Sequence, residues 1–257
     1  MKITILGTGT FYVSSTRSGP SYLLEVDDKK ILIDCGPGTL MRLSQIGIKV
    51  EDLDYIFISH FHADHTSDLF ALLMNFRLKD FFSNEKEYKT PVIFGPKGIK
   101  NFIKKLSRVY ELLAFDNYSK VEYKTYKKSI QIGKVKVKTF KVSHTAFGLM
   151  AKSYALSFEF NGKIFAFSGD SVMCQGLADA SKEADLFVCD ASYAKDKGSP
   201  AHLNTNEIGE IAQSSKVKKV VLTHFYPNTE QIDLVAEVKE KYLGEVVRGE
   251  DSMVINL

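Results

Sequence analysis

Cysteine is scarce in this 257-residue chain, and its three copies, Cys35, Cys174 and Cys189, are odd in number and widely spaced. That argues against a disulfide framework and against a Cys-type zinc site. Each lies in or beside an apolar run, where a thiol reads as small core filler. Long hydrophobic runs are missing too. No stretch approaches the roughly 20 apolar residues that a membrane span needs. The opening Met1-Lys2-Ile3-Thr4-Ile5-Leu6-Gly7 reads as a strand rather than the core of a signal peptide. A cytoplasmic protein with no membrane partner is expected. Net charge is only +3, too small to argue for nucleic acid by itself. Tryptophan is absent, which excludes nothing. With no low-complexity linker, repeat or composition break, residues 1–257 are expected to form one domain.

The apolar residues, 44% of the chain, are enough for a substantial core, and they fall in short runs. Strand-like runs at Ile3–Leu6, Tyr22–Val26, Ile31–Asp34 and Tyr55–Ser59 come first, with Asp27-Asp28-Lys29-Lys30 as a polar turn between the second and third. Leu40, Met41, Leu43 and Ile46 have helical spacing after Gly38, and a longer helical pattern spans Ser67–Phe76. Pro91–Phe94 reads as a strand, and Gly98–Leu106 as a helix with Ile99, Phe102, Ile103 and Leu106 on one face. A β-rich stretch holds Val121–Tyr126, Val135–Val142, Tyr154–Phe160 and Ile164–Ser168, the last two joined by the hairpin turn Asn161-Gly162. Strand and helix then alternate through Leu186–Cys189, Thr205–Ala212, Val220–Thr223, Ile232–Tyr242 and Val254–Ile255. This order predicts an α/β fold of sheets flanked by helices. The polar segment Lys79–Thr90 reads as an insertion.

The strongest chemical signal is His60-Phe61-His62-Ala63-Asp64-His65, directly after the apolar strand Tyr55-Ile56-Phe57-Ile58 and before a helix. Alternate residues of an extended chain point the same way, so His60 and His62 can grip one ion. As the chain bends into the helix, Asp64 and His65 swing toward a neighbouring point where a second ion fits. Only six histidines are present, and the others also close or follow strands. His144 ends Val135–Val142, and His224 ends Val220–Thr223. Asp170 ends Ile164–Ser168, with Gly169 allowing a tight backbone turn. Taken singly, each reads as an ordinary polar strand-end residue. Together they gather where α/β folds place their sites. His202 precedes a helix started by Asn204 or Thr205, with Glu207 at capping-box spacing; a solvent-exposed loop histidine is its plain alternative.

Two other features invite attention. Gly7-Thr8-Gly9-Thr10 looks like part of a phosphate loop, but no Gly-Lys-Ser/Thr follows and no helix opens, so a tight turn is expected. Lys120–Lys141 holds eight lysines against one acid, Glu122, and reads as a solvated strand face, with nucleic-acid contact the alternative.

The elements "ITILGTGT…ILIDCGPGT", "DYIFISHFHADH", "VSHT", "FSGDS" and "LTHFYP" resemble, in that order, the metallo-β-lactamase superfamily. Within it, "PVIFGPKGIKNFI" and "AHLNTNE" are similar to the ribonuclease Z-like phosphodiesterases. The resemblance covers nearly the whole chain. It implies a four-layer αββα sandwich with two divalent metal ions, zinc first and manganese or iron as alternatives. It implies that His60, His62 and His144 hold the first metal, that Asp64, His65 and His224 hold the second, and that Asp170 bridges them. Asp34 would orient a ligand imidazole or the motif loop. Asp64 is counted with His202 and Asp190 among the catalytic residues. His202 would be the acid facing the scissile phosphate and Asp190 its acidic partner, where the family more commonly has Glu. A homodimer is also implied, with Phe76, Phe81 and Phe82 available to an interface or to the core.

Two divalent ions, two aspartates, a bridging hydroxide and five neutral imidazoles leave a net positive pocket suited to an anionic substrate. A protonated His202 would serve a phosphodiester, whose leaving alkoxide needs a proton. A thioester, lactone or β-lactam hydrolase on the same metals would leave His202 idle. A non-catalytic nucleic-acid binder would have no use for seven convergent ligands. Ribonuclease Z proper grips tRNA with a long arm, inserted in the bacterial short form between the third-motif histidine and the bridging aspartate. Here only 25 residues separate His144 and Asp170, and a hairpin uses nearly all of them. The expected substrate is therefore small, such as a cyclic nucleotide. Cleavage of tRNA 3′ ends is the alternative.

Overall fold

The computed structural model describes residues 1–12, 14–82, 88–110 and 120–257. Six strands come first: β1 (Lys2–Gly7), β2 (Ser21–Val26), β3 (Lys29–Ile33), β4 (Tyr55–Phe57), β5 (Val92–Gly95) and β6 (Glu122–Thr125). Three helices lie among them: α1 (Thr39–Gln45), α2 (Ala63–Phe82) and α3 (Ile99–Val109). Then come β7 (Ser129–Ile132), β8 (Val135–Val142), β9 (Thr145–Ala146), β10 (Leu149–Met150), β11 (Ser153–Phe160), β12 (Lys163–Phe167) and β13 (Leu186–Asp190), with α4 (Gln175–Ser181) before the last. The chain ends with α5 (Thr205–Ser214), β14 (Lys219–Thr223), α6 (Leu234–Lys239), β15 (Glu245–Arg248) and β16 (Val254–Asn256).

Two seven-stranded sheets result, ordered β16-β1-β2-β3-β4-β5-β6 and β15-β14-β13-β12-β11-β8-β7. Their facing sides share one core, in which Ile3, Ile5, Ile31, Ile33 and Phe57 meet Val137, Phe158, Phe165 and Val188. The outer face of the first sheet buries Leu23, Leu32 and Ile56 under Leu43, Leu69, Leu73 and Ile103 of α1, α2 and α3. The outer face of the second buries Phe187, Cys189 and Leu222 under Leu177, Ile208, Ile211 and Val238 of α4, α5 and α6. Both sides of a central strand are thus covered. For this reason Ile31-Leu32-Ile33 and Leu186-Phe187-Val188 are unbroken apolar runs rather than alternating ones. The architecture is the expected αββα sandwich.

Several expectations are refined. Helix α2 starts four residues before the apolar pattern does, at Ala63, because Asp64 favours a helix N-terminus while hiding the periodicity. It also runs on to Phe82, taking in the start of the segment read as an insertion; residues 83–87 of that segment lie outside the described residues. Strands β7 and β15, of four residues each, and helix α4, of seven, are too short to establish a period. Phe76 is core, fully buried on the inner face of α2, while Phe82 is exposed; the side chain of Phe81 lies outside the description. Gly7–Thr10 is not a tight turn. Gly7 ends β1, and Thr8–Thr10 is an irregular segment tied to the rest of the chain, with the Thr8 N–H and hydroxyl both donating to Asp251. The lysine-rich segment behaves as a solvated strand face: Val135, Val137 and Thr139 point inward, and Lys134, Lys136 and Lys141 lie exposed.

Candidate metal centre

Strands β3 and β4 run parallel, as do β12, β13 and β14. Strand β8 is antiparallel to β11, which is antiparallel to β12, so β8 shares their direction. The C-terminal ends of these strands therefore open on one edge of the sandwich. Asp34 follows β3, Ser59 and His60 follow β4, and His144 follows β8. Asp170 follows β12, Asp190 ends β13, and His224 follows β14. The backbone must turn sharply there: Asp34, Gly169 and His224 all have left-handed φ, of 56°, 57° and 62°. Asp and His tolerate that region better than most residues. At Gly169 a Cβ would come within 2.7 Å of the Tyr154 carbonyl oxygen, so only glycine fits.

All nine sequence-expected residues are brought together. His60, His62, His144 and Asp170 form one group, and Asp64, His65, His224 and Asp170 another. Asp170 spans both. Its Oδ2 lies 3.6 Å from His60 Nε2 and 3.8 Å from His144 Nε2, while its Oδ1 lies 3.2 Å from His65 Nε2 and 3.4 Å from His224 Nε2. Other ligand-type atoms face each other just as closely: His144 Nε2 and His62 Nδ1 at 3.1 Å, His65 Nε2 and His224 Nε2 at 3.4 Å, and Asp64 Oδ2 and His224 Nε2 at 3.4 Å. A tetrahedral ion with bonds of about 2.0–2.1 Å spaces its ligand atoms about 3.3–3.4 Å apart. Inward-facing nitrogens at this distance cannot all be satisfied by one another. His60 Nε2 and Asp64 Oδ1 are indeed buried with no hydrogen-bond partner among the described residues. The donor set fits two divalent cations.

The outward nitrogens are fixed by acceptors. Asp34 Oδ2 accepts from His65 Nδ1 at 2.7 Å, and the Ala201 carbonyl accepts from His144 Nδ1 at 2.7 Å. Each leaves Nε2 free for the centre. Asp34 also accepts the Ser59 N–H and hydroxyl, each at 2.7 Å. Electrostatics agrees with cation binding. Burial, with the neighbouring His65, His62 and His144 adding to it, holds the His60 imidazole well below its usual pKa and so neutral. Burial alone would push Asp170 up, but His224, His65 and His60 outweigh it and hold the carboxyl well below its usual range. His65 shows the excess of negative charge: despite burial, Asp170, Asp64 and Asp34 raise it well above the ordinary histidine value.

His202 is not a solvent-exposed loop residue. It is buried at 6% exposure, and its Nδ1 donates to Asp190 Oδ2 at 2.8 Å. Burial lowers its pKa, but Asp190 and then Asp170 outweigh burial and lift it to about 9. Its ring stands 5.1 Å from those of both His144 and His224. The capping box starting α5 is present, with Asn204 accepting the Glu207 N–H. Sequence reading missed Ser192, which joins Asp190 to His224, and Tyr226, whose ring meets His202 and His224 edge-on at 5.9 Å. Neither residue type advertises such a role. The nearest signal is that each lies within two residues of a strand-end ligand or acid.

Known proteins share this arrangement of the chain. Ribonuclease Z of Saccharolobus solfataricus is 26% identical over 90% of this chain and 91% of that protein. Among solved structures, the metallo-β-lactamase fold protein YhfI of Bacillus subtilis superposes with a TM-score of 0.82 at 21% identity, covering 99% of both chains. Human tRNase Z, short form, gives 0.75 at 25% identity, covering 100% of this chain and 99% of that one. A family model described as Anti-Pycsar protein Apyc1 matches residues 1–247. The chain therefore belongs to the Anti-Pycsar protein Apyc1 family, within the ribonuclease Z-like branch of the metallo-β-lactamase superfamily.

Proposed function

We propose that this metal-dependent phosphodiester hydrolase acts on small or cyclic phosphodiesters, such as cyclic nucleotides, with His202 as general acid. The observation that carries the reading is the buried His202–Asp190 pair beside two ligand groups that share Asp170. His60, His62 and His144 would hold one divalent ion and Asp64, His65 and His224 the other, with Asp170 given to both. Zinc suits this imidazole-carboxylate set best, with manganese and iron as alternatives. When bound, such a pair supplies an activated nucleophile and neutralises charge on the phosphoryl oxygens.

The chain's own residues do the rest. His202 Nδ1 is committed to Asp190, so Nε2 carries the proton that can pass to the leaving alkoxide. Asp190 keeps the imidazole protonated and fixes its plane. A thioester or lactone would make no use of this pair. Asp64 would help hold the second ion through its carboxylate. The chain would form one domain over residues 1–257 and act in the cytoplasm as a homodimer.

The small-substrate reading is supported by the span from His144 to Asp170. It is used up by the hairpin β9–β10 and by β11 and β12, with no arm to grip a large RNA. One observation favours the second reading, tRNA 3′-end cleavage. A cleft of about 650 Å³ is lined by Lys127, Lys128, Lys138 and Lys141 with Tyr126 and Tyr154. The direct test of the phosphodiester reading is turnover of bis(p-nitrophenyl) phosphate by metal-loaded protein. Activity that needs metal and collapses in His202→Ala supports it. Turnover of thioesters or lactones without turnover of the phosphodiester would overturn it.

A further inference from the structure

We propose that Ser192 is a positioning residue that uses its single hydroxyl proton to hold His224 in the tautomer able to bind metal, and so ties the acid pair to the second ligand group. The proposal rests on the two-metal reading above.

The geometry is a chain of four groups. Asp190 Oδ2 accepts from His202 Nδ1 at 2.8 Å. Asp190 Oδ1 accepts the Ser192 hydroxyl at 2.5 Å and the Ser192 N–H at 3.1 Å. Ser192 Oγ then lies 2.9 Å from His224 Nδ1. A serine hydroxyl has one proton to give and lone pairs to receive with. If it is given to the carboxylate, an acceptor only, Oγ must accept from His224 Nδ1–H. The lone pair of His224 then sits on Nε2, the atom facing Asp64, Asp170 and His65. If it is given to His224 Nδ1 instead, Nε2 carries a hydrogen and cannot be a ligand. Asp190 Oδ1, charged and at 2.5 Å, takes the proton ahead of both His224 Nδ1 and the His224 carbonyl oxygen, which lies 3.2 Å from Oγ. Ser192 is fully buried, and Asp190 Oδ1 is 3.6 Å from His224 Nδ1, too far to replace the hydroxyl directly.

The same pattern recurs on the other sheet. Asp34 accepts the Ser59 N–H, the Ser59 hydroxyl and His65 Nδ1, and Ser59 Oγ lies 3.1 Å from His60 Nδ1. In both places a carboxylate takes an N–H and an O–H from one serine and Nδ1–H from one imidazole, and the serine turns to a second imidazole. The first-sheet copy serves ligands on both of its imidazole arms. The second-sheet copy serves a ligand on one arm and the acid on the other. One carboxylate, Asp190, therefore supports the acid directly and the second ligand group through Ser192.

The test is metal binding rather than turnover: zinc titration by calorimetry, and bound metal after dialysis, on wild type, Ser192→Ala, Ser192→Thr and His202→Ala. The account predicts that wild type and His202→Ala both hold two ions. Ser192→Ala should hold the first normally and the second about 10–100-fold more weakly, as expected for lost support of a ligand. Ser192→Thr, which keeps the hydroxyl, should restore it. If Ser192→Ala does not fold, Ser192→Cys makes the same test with a poorer hydrogen-bonding group. A Ser192→Ala or Ser192→Cys protein that binds both ions with wild-type affinity overturns the proposal. So does loss of the second ion from His202→Ala to the same extent. A wild type that binds fewer than two ions overturns the two-metal reading itself, and the proposal with it.

Discussion

His202 shows how far tertiary context can move a residue from its local reading. In a stretch of Ser, Pro, Ala and Asn it looks like a loop histidine, yet it is buried against Asp190 with an elevated pKa. His202→Ala should cost about 10²–10⁴ in kcat, the usual worth of a general acid. Metal content should not change, and parallel metal analysis checks that. Asp190→Asn has a signature of its own. The carboxylate raises the pKa of His202, so its removal lowers the pH at which the acid loses its proton. The alkaline limb of the kcat profile should move to lower pH than in wild type. Positive charge from bound metal pulls the wild-type limb below about 9 as well, but does not reverse the order of the two proteins. A pH–rate profile that is unshifted in the variant would remove Asp190 from the acid pair.

Strand ends, at the scale of elements, carry the site. Six strands of two sheets deliver their C-termini to one edge, and sharp left-handed turns aim the candidate ligands. Gly169→Ala tests that geometry. The alanine would sit in a left-handed region that costs about 1–2 kcal/mol, with its Cβ 2.7 Å from the Tyr154 carbonyl oxygen. A drop in thermal stability together with weaker binding at Asp170 is expected, seen as a lower Tm and less metal per chain. The candidate ligands were legible from sequence through the dense His60–His65 cluster, which gave meaning to His144, Asp170 and His224, each an ordinary polar strand-end residue when taken singly. The division of His60 and His62 from Asp64 and His65 follows from the extended chain and its bend into the helix, but the places of His144, His224 and Asp170 rested on family resemblance, since no spacing in the sequence tells which strand ends meet. Ser192 was not legible. Its role depends on the parallel pairing of β13 and β14, which brings it to a histidine 32 positions away. The short elements α4 and β7, of seven and four residues, were missed because so few positions cannot establish a face.

At the scale of the whole molecule, a buried set of carboxylates and imidazoles calls for cations, and four lysines with Asp179 line a separate cleft. The two features make different demands on a substrate. The centre asks only for a phosphodiester small enough to enter, while the lysine face would reward a polyanion, and would do so in a salt-sensitive way. Metal analysis of purified protein should give two ions per chain, with Asp170→Ala losing both and His62→Ala mainly one. Choosing between the substrates is the more searching question. The measurement is kcat/KM for 2′,3′- and 3′,5′-cyclic nucleotides against a precursor tRNA, on the same metal-loaded protein at about 150 mM salt, where exposed charges are screened beyond about 8 Å. Efficient turnover of at least one cyclic nucleotide and poor cleavage of the tRNA are expected. Efficient tRNA 3′-end cleavage with little turnover of any cyclic nucleotide would contradict the small-substrate reading.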